Sequence, residues 1–490
     1  MKRLINLLTM AAVIAGSAAA QSTLSVLDVA RKIVTSDPEV MRSDMSARAA
    51  LNEYQSTLAG ALPDITLDVT PYSLSSVRVP TGSTSQDLVN HSVGAALSVT
   101  QYLPTSGVLS AEAGNTLTIG RGDAQTIEQV PSVSLTYAQP FLVNGRFIDT
   151  SVYRGTRRNA ELGYLFADEN SRIQRNARVR AALGLFTQAA TLRRTLDVLE
   201  TTTSVLTRQI DDAQISRQQG LITDNTLLAL RITLNARREA LLNTQLALVQ
   251  VQQELARALG EDRFDTGTIL DDQLPDPAVE TQADPESLRE NNPQLVLSGY
   301  ALEQAQLLGL FNELTDRPQF SVVVTAEPVY PDSRSNENDF AASLSDYFAD
   351  GAGVQAVVAL NLSIPLSGSK ERGYRESSDD LGVRRSEIQM EDTLRLVRNQ
   401  LQTLLLTRSI LRERQELLVF DVAYEEERVA NETTLLQAGA STQLKVDEVE
   451  LDLLSRRNEQ WQIHAELFLN TLDILTILGV DIAEYLAEIY

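Results

Sequence analysis

Cysteine is absent from the 490-residue sequence, so no disulfide, thiolate nucleophile or lipidated N-terminal cysteine can form. Histidine is nearly absent too: His91 and His464 stand alone, and neither falls in a metal-binding or catalytic spacing. The sequence contains no phosphate-cradling glycine loop and no nucleophile elbow. It therefore offers no enzyme signature, no metal site and no cofactor motif. After the N-terminus there is also no run of roughly 20 uncharged apolar residues, which a membrane-spanning helix needs. If the mature chain enters a membrane, it must do so as strands. Basic residues are outnumbered, 42 Lys and Arg against 65 Asp and Glu, for a net charge of −23. Binding to phosphate backbones requires clustered Lys and Arg, so nucleic acid is not an expected partner. Cationic solutes and basic protein surfaces fit that charge better, and so does plain solubility.

What is present begins with an address. Lys2 and Arg3 precede a largely apolar stretch from Leu4 to Ala15, and Ala18-Ala19-Ala20 follow, so residues 1–20 read as a signal peptide and the mature chain as starting at Gln21. A hydrophobic content of 43% over this length suffices for a large core or for two similar halves.

Matched spacings favour two halves. Pro38 precedes Pro63 by the interval that separates Pro293 from Pro318, and Gly220 and Gly260 are spaced as Gly439 and Gly479 are. Thr223 then corresponds to Thr442, and Arg238 to Arg457. Each copy opens with a proline at an early helical position, in Asp37-Pro38 and Asn292-Pro293, and a second proline closes that helix. Later in each copy a glycine interrupts a long helical pattern and Thr caps the helix that resumes, which makes a helical hairpin. The expected organisation is a first repeat over 21–260, an acidic linker over 261–284, a second repeat over 285–479 and a C-terminal tail over 480–490. In the repeats, strands are expected over 63–141 and 318–366, and glycine turns at 220 and 439.

From about Asp149 to Gln219 and from about Ser369 to Gln437 the helical pattern runs without proline. Each such helix would reach on the order of 100 Å, which suits a tunnel or coiled coil better than a compact core. Leu192, Leu196 and Leu199, and Leu394, Val397, Leu401 and Leu404, form stripes of ordinary helix packing, with Arg193, Arg194 and Arg398 on other faces. Glu425-Glu426-Glu427 read as a solvated face, and His464, three residues after Trp461, as a packing residue. Between the long helices the period changes to 2, most clearly from Val354 to Ile364 and more briefly over Ile65–Thr70, Val93–Val99, Val133–Tyr137 and Phe320–Ala326. A lipid-facing barrel and a soluble antiparallel sheet with one wet face both produce that alternation; the signal peptide and the long helices favour the barrel.

The order helix, strands, long helix, glycine turn, helix, repeated in tandem, resembles the TolC-like outer-membrane efflux family over nearly the whole mature chain. Asn292-Pro293-Gln294-Leu295, Gln139-Pro140-Phe141-Leu142 with Gly145, and Ile364-Pro365-Leu366-Ser367-Gly368 resemble that family's punctuation. The resemblance implies a mainly α fold with β: long helical hairpins forming a periplasmic tunnel, and a small antiparallel β-barrel completed by a homotrimer, with two β-hairpins from each chain. It implies a passive channel in the cell outer membrane, in contact with outer-membrane lipid, serving efflux or type I secretion with an inner-membrane transporter and a periplasmic adaptor protein. The outward loops would include the acidic segment 331–353. The adaptor would meet the tips, at Gly220, Leu221, Thr223, Gly439, Ala440, Ser441 and Thr442. Of the family's two acidic gate positions, one matches Glu448 and the other Lys445, a departure that leaves an acidic gate and a mixed-charge ring both open; Asp447 and Glu450 lie beside them. A second departure is an added strand pair around Ser92–Leu103 and Gly107–Ile119, which could extend the barrel, enlarge an outer loop or lie at the periplasmic rim. The competing class is a soluble periplasmic coiled-coil scaffold or adaptor without channel activity.

Overall fold

A computed structural model describes residues 23–81, 84–121, 125–143, 146–148, 150–264, 269–270, 273–275, 285–315, 319–329, 353–364 and 369–489. Residues 1–20, read as a signal peptide, Gly145, most of the linker, the segment 331–352 and the stretch 365–368 lie outside the described residues.

The elements run in order as β1 (Thr23–Leu24), α1 (Val26–Ser36), α2 (Pro38–Ala59), β2 (Asp64–Thr81), β3 (Thr84–Tyr102), β4 (Val108–Arg121), β5 (Gln125–Val143) and β6 (Arg146–Phe147), followed by α3 (Ser151–Gln218) and α4 (Asp224–Ala258). The second half contains β7 (Ile269–Leu270), α5 (Pro285–Asn291), α6 (Pro293–Thr315), β8 (Gln319–Val329), β9 (Gly353–Ser363), α7 (Ser369–Gln437), α8 (Gln443–Ile477) and α9 (Ile482–Ile489). Helix lengths match between the halves: 22 and 23 residues for α2 and α6, 68 and 69 for α3 and α7, and 35 each for α4 and α8. The same local chemistry sets the ends. Asp37 Oδ1 accepts from the N–H groups of Glu39 and Val40 at the start of α2, as Asn292 Oδ1 does from Gln294 and Leu295 at the start of α6. Two compact units divide the chain.

One unit comprises residues up to 47, 167–298 and 390–490. Its main core gathers Val29 and Ile33 of α1, Leu183 and Phe186 of α3, Leu255 of α4, Leu472 of α8, and Ile482 and Leu486 of α9. The last two are fully buried, so residues 480–490, read as a tail, carry a helix that belongs to the core. The acidic linker is also anchored there: Phe264 and Leu274 are buried, and β7 pairs in parallel with β1. Along the helical hairpins, Leu196 packs with Leu248 and Val251, and Leu411 with Ile463 and Leu467. Glu425 departs from the reading of a solvated face. It is buried and ion-paired with Arg428, because one position of an acidic run on a helix must face the neighbouring helix. Arg194 likewise lies over the Trp461 ring, 5.1 Å from its centroid, and His464 Nε2 is 3.1 Å from the Leu274 carbonyl.

The other unit comprises 48–166 and 299–389 and contains the sheet. The long strands follow the order β2-β3-β4-β5-β8-β9, every pair antiparallel, with the short β6 folded onto β5. This corrects the expectation of two hairpins per chain. Among the described residues there are three, β2–β3, β4–β5 and β8–β9, and the added strands are full members of the sheet. Beside it, Gly155 of α3 lets the Phe311 ring of α6 approach, where a Cβ would stand 2.9 Å from the ring. Arg158 Nε and Nη2 donate to the two carboxylate oxygens of Glu303, at 2.6 and 2.9 Å. Those bonds hold the Glu303 carboxyl below its usual range. A depressed carboxylate pKa contributes stability above the unfolded value of about 4.3, and that contribution is lost as pH falls through the folded value. Both side chains are about one-third exposed, so the contribution is at most about 1 kcal/mol. Acid unfolding curves of the wild type and Glu303→Gln are therefore expected to separate above about pH 4.3 and to converge below it; equal separation at pH 3 would refute this assignment.

Candidate functional site

The sheet sorts its side chains by face. Cross-strand partners share a face, and the register aligns Ile65, Val99, Ala111, Leu135, Ala326 and Ala356 in one apolar row across all six long strands. The next apolar row holds Leu67, Leu97, Ala113 and Val133, and another holds Tyr137, Val324 and Val358. Between these rows lie the mostly small or polar ones: Asp64, Thr100, Ser110, Thr136 and Thr325, ending on Val357; then Thr66, Ser98, Glu112 and Ser134, with Glu327 opposite Gln355, while Ala138, Val323 and Ala359 share this face. Among the described residues nothing covers the apolar face: Leu67 is 66% exposed and Leu360 65%. A soluble sheet buries its apolar face and wets its polar one. Here the apolar face is bare, and the described residues include no helix long and apolar enough to cross a membrane.

The second constellation lies at the turns that end the long helices. Gly220 and Gly439 have φ of +76° and +70°, which L side chains adopt only at a cost. At each, the glycine N–H and the next N–H bond back to carbonyls of the last helical turn, from Gly220 to Arg217 and Leu221 to Ser216, and from Gly439 to Leu436 and Ala440 to Leu435. Thr223 and Thr442 then cap α4 and α8, accepting from the N–H groups of Thr226 and Lys445. Ser441 bonds to Glu432. Leu221 is left 71% exposed, an apolar side chain on a turn.

Near the turns, α3 is tied to α8. Arg208 pairs with Asp447, which is 7% exposed and also accepts from Gln443 Nε2 at 2.9 Å. One residue on, Gln209 Nε2 donates to Glu448 at 2.8 Å, while Lys445 Nζ donates to the other carboxylate oxygen of Glu448 at 2.9 Å. The Glu448 carboxylate holds the Lys445 ammonium above the usual lysine range. The three residues singled out on α8 thus enter two adjacent sets of contacts, Arg208–Asp447–Gln443 and Gln209–Glu448–Lys445, whose α3 members, Arg208 and Gln209, carried no signal in the sequence. Among the described residues no cluster of His, Asp and Glu could hold a metal ion.

The fold has solved counterparts. CusC, a crystal structure described in terms of transmembrane channel formation, superposes with a TM-score of 0.62 at 14% identity, covering 93% of this chain and 92% of its own. The outer membrane protein VceC of Vibrio cholerae gives 0.60 at 13% identity, with 93% and 96% covered. The MtrE outer membrane channel of Neisseria gonorrhoeae, in its open state, gives 0.61 at 12%, with 93% and 89% covered. The chain has the TolC-like outer-membrane channel fold. No protein-family model and no curated protein matches the sequence, so the likeness rests on the arrangement of elements.

Proposed function

We propose that this chain is one subunit of a passive exit duct in the outer membrane, in which three copies join their sheets into a lipid-facing barrel and their helices into a periplasmic tunnel. The observation that carries this reading is the bare apolar face of a sheet of six long strands whose other face is mostly small or polar, in a TolC-like fold. Such alternation places apolar side chains toward lipid and Asp64, Thr66, Asp68, Glu112 and Glu327 toward water. Further support comes from apolar stripes left uncovered on the helices: Leu406, Ile410, Leu417 and Tyr424 on α7, and Leu228, Ile232, Leu242 and Leu246 on α4, are all exposed. Their heptad-like spacing suits packing against neighbouring copies. An inner-membrane transporter supplies the energy for efflux or type I secretion. A periplasmic adaptor docks at the tips formed by Gly220, Leu221 and Thr223 and by Gly439, Ala440, Ser441 and Thr442, where the exposed Leu221 offers an apolar anchor. Asp447, Glu448 and Lys445 serve the gate: Asp447 latches α8 to α3, and Glu448 and Lys445 act as a mixed-charge pair.

The test is planar-bilayer conductance of the detergent-purified mature protein, with chemical cross-linking to count subunits. Discrete conductance steps from a trimer, with cations preferred over anions because the polar face carries carboxylates, are expected. A water-soluble protein that never inserts would overturn the reading and favour the periplasmic scaffold.

A further inference from the structure

The sheet has two free edges. Among the described residues β2 pairs only with β3, and β9 only with β8, so each leaves a row of backbone N–H and C=O groups unpaired beside exposed apolar side chains. Hydrocarbon does not tolerate such an edge, because nothing there can accept or donate in place of water. β2 continues from α2 and β9 leads into α7, so the two edge strands run in opposite directions. An antiparallel partner for each is therefore available on a second copy, and each copy contributes one edge of each kind, the condition for a closed ring.

The size of that ring depends on whether β3 and β4 belong to the wall. Their register with each other runs unbroken from Val89↔Arg121 to Tyr102↔Val108, and the apolar and polar rows pass through both strands without changing face. The bases of the β2–β3 and β4–β5 hairpins are also built alike. Gln101, at the end of β3, donates through Nε2 to the Ala61 carbonyl before β2 and to the Tyr102 carbonyl at 2.9 Å. Gln139, near the end of β5, donates through Nε2 to the Thr105 carbonyl before β4 at 2.9 Å and to the Pro140 carbonyl at 2.8 Å. Gln139 is buried, and its Oε1 accepts from Thr105 and Tyr137 at 2.8 and 3.0 Å. A side chain added at Gly107 would collide with that Oε1, at 2.4 Å from a Cβ. The β4–β5 hairpin is thus a second copy of the β2–β3 unit, set into the sheet by the same glutamine clasp.

We propose that three copies, pairing β9 of one with β2 of the next, close a barrel of 18 strands, six from each chain, and not the 12 that two hairpins per chain would supply. This inference rests on the channel reading. With strands about 4.8 Å apart and tilted by about 40°, such a barrel measures roughly 36 Å across its backbone, against roughly 24 Å for 12 strands. Its lumen is in the range that leaves an open aqueous channel and passes correspondingly larger solutes.

Electron cryo-microscopy of the intact protein in lipid nanodiscs tests this by counting strands in cross-section. Eighteen strands, with β3 and β4 in the wall, are expected. Because the chain has no cysteine, Leu97→Cys and Ser98→Cys provide a second measurement without background. In membranes a water-soluble maleimide should label Ser98→Cys from the lumen and spare Leu97→Cys, which faces lipid. Trimeric, conducting particles with 12 strands and equal labelling of both cysteines would overturn the inference and leave the channel reading standing. Protein that neither inserts nor trimerises would overturn both.

Discussion

Gly479→Ala is expected to destabilise the helical unit by about 3–5 kcal/mol, while Gly220→Ala costs only about 1–2 kcal/mol. Both glycines hold nearly the same backbone, φ +78° and +76°, so the conformational cost is shared. The surroundings differ. A Cβ on Gly220 meets open space, but on Gly479 it would stand 1.9 Å from the Asn291 carbonyl oxygen, a backbone atom that cannot swing aside. Arg172 Nη2 donates to the Gly479 carbonyl at 3.0 Å at the same junction, and Asn292 Nδ2 donates to the Ile477 carbonyl at 2.7 Å. Relieving the clash would therefore disrupt the bonds that hold the start of α6 to the end of α8. Limited proteolysis and the thermal lifetime of the purified protein measure the effect. Equal sensitivity of the two variants would show that backbone conformation alone, and not the close approach, makes Gly479 necessary.

The second large effect is expected at the latch. Asp447→Ala should raise single-channel conductance several-fold, because it removes the tie between α3 and α8 at Arg208 while leaving both helices intact. The cost in stability is about 1 kcal/mol or less, since Arg208 is half exposed and water can take over its hydrogen bonds. Arg208→Ala should open the channel to a similar degree, and the double variant should add little, as expected for two partners in one interaction. Asp447→Asn keeps an acceptor in place and should conduct close to the wild type. If Asp447→Ala and Arg208→Ala proved additive, each would act through a separate contact and the latch assignment would fail.

Much of the architecture is legible in the sequence because it is encoded locally. Proline at an early helical position, glycine in the left-handed region after a last helical turn, and threonine accepting from an N–H three residues on all act within a few residues of chain. The roles of Pro38, Pro293, Gly220, Gly439, Thr223 and Thr442 therefore follow from their immediate neighbours in the chain. The long helices need only unbroken periodicity without proline, and β9 only its alternation. The tip network is half legible: Asp447, Glu448 and Lys445 stand out next to a turn, whereas Arg208 and Gln209 are polar residues on a helix rich in them. Their partners lie far along the chain, and no local pattern encodes such a pairing. Helices α1 and α9 do carry local signals, the Ser25–Asp28 capping box and Asp481 accepting from the N–H groups of Ala483 and Glu484, but each is short and its place in the core is set by segments distant in sequence.

By itself the sequence determined the periodicities, the stops and starts of the elements, and their repetition in two halves, because backbone preference and capping are short-range. It also determined that lipid contact, if made, falls to strands. Tertiary structure alone decided that β3 and β4 enter the sheet between β2 and β5, that Glu425 is buried and that Phe264 and Leu274 fasten the linker to the core. It also decided that the carbonyl of Asn291 closes on Gly479. Each of these depends on which distant surfaces meet, and a strand pair with the right alternation can satisfy its hydrogen bonds in a barrel wall or in a loop equally well until its neighbours are in place.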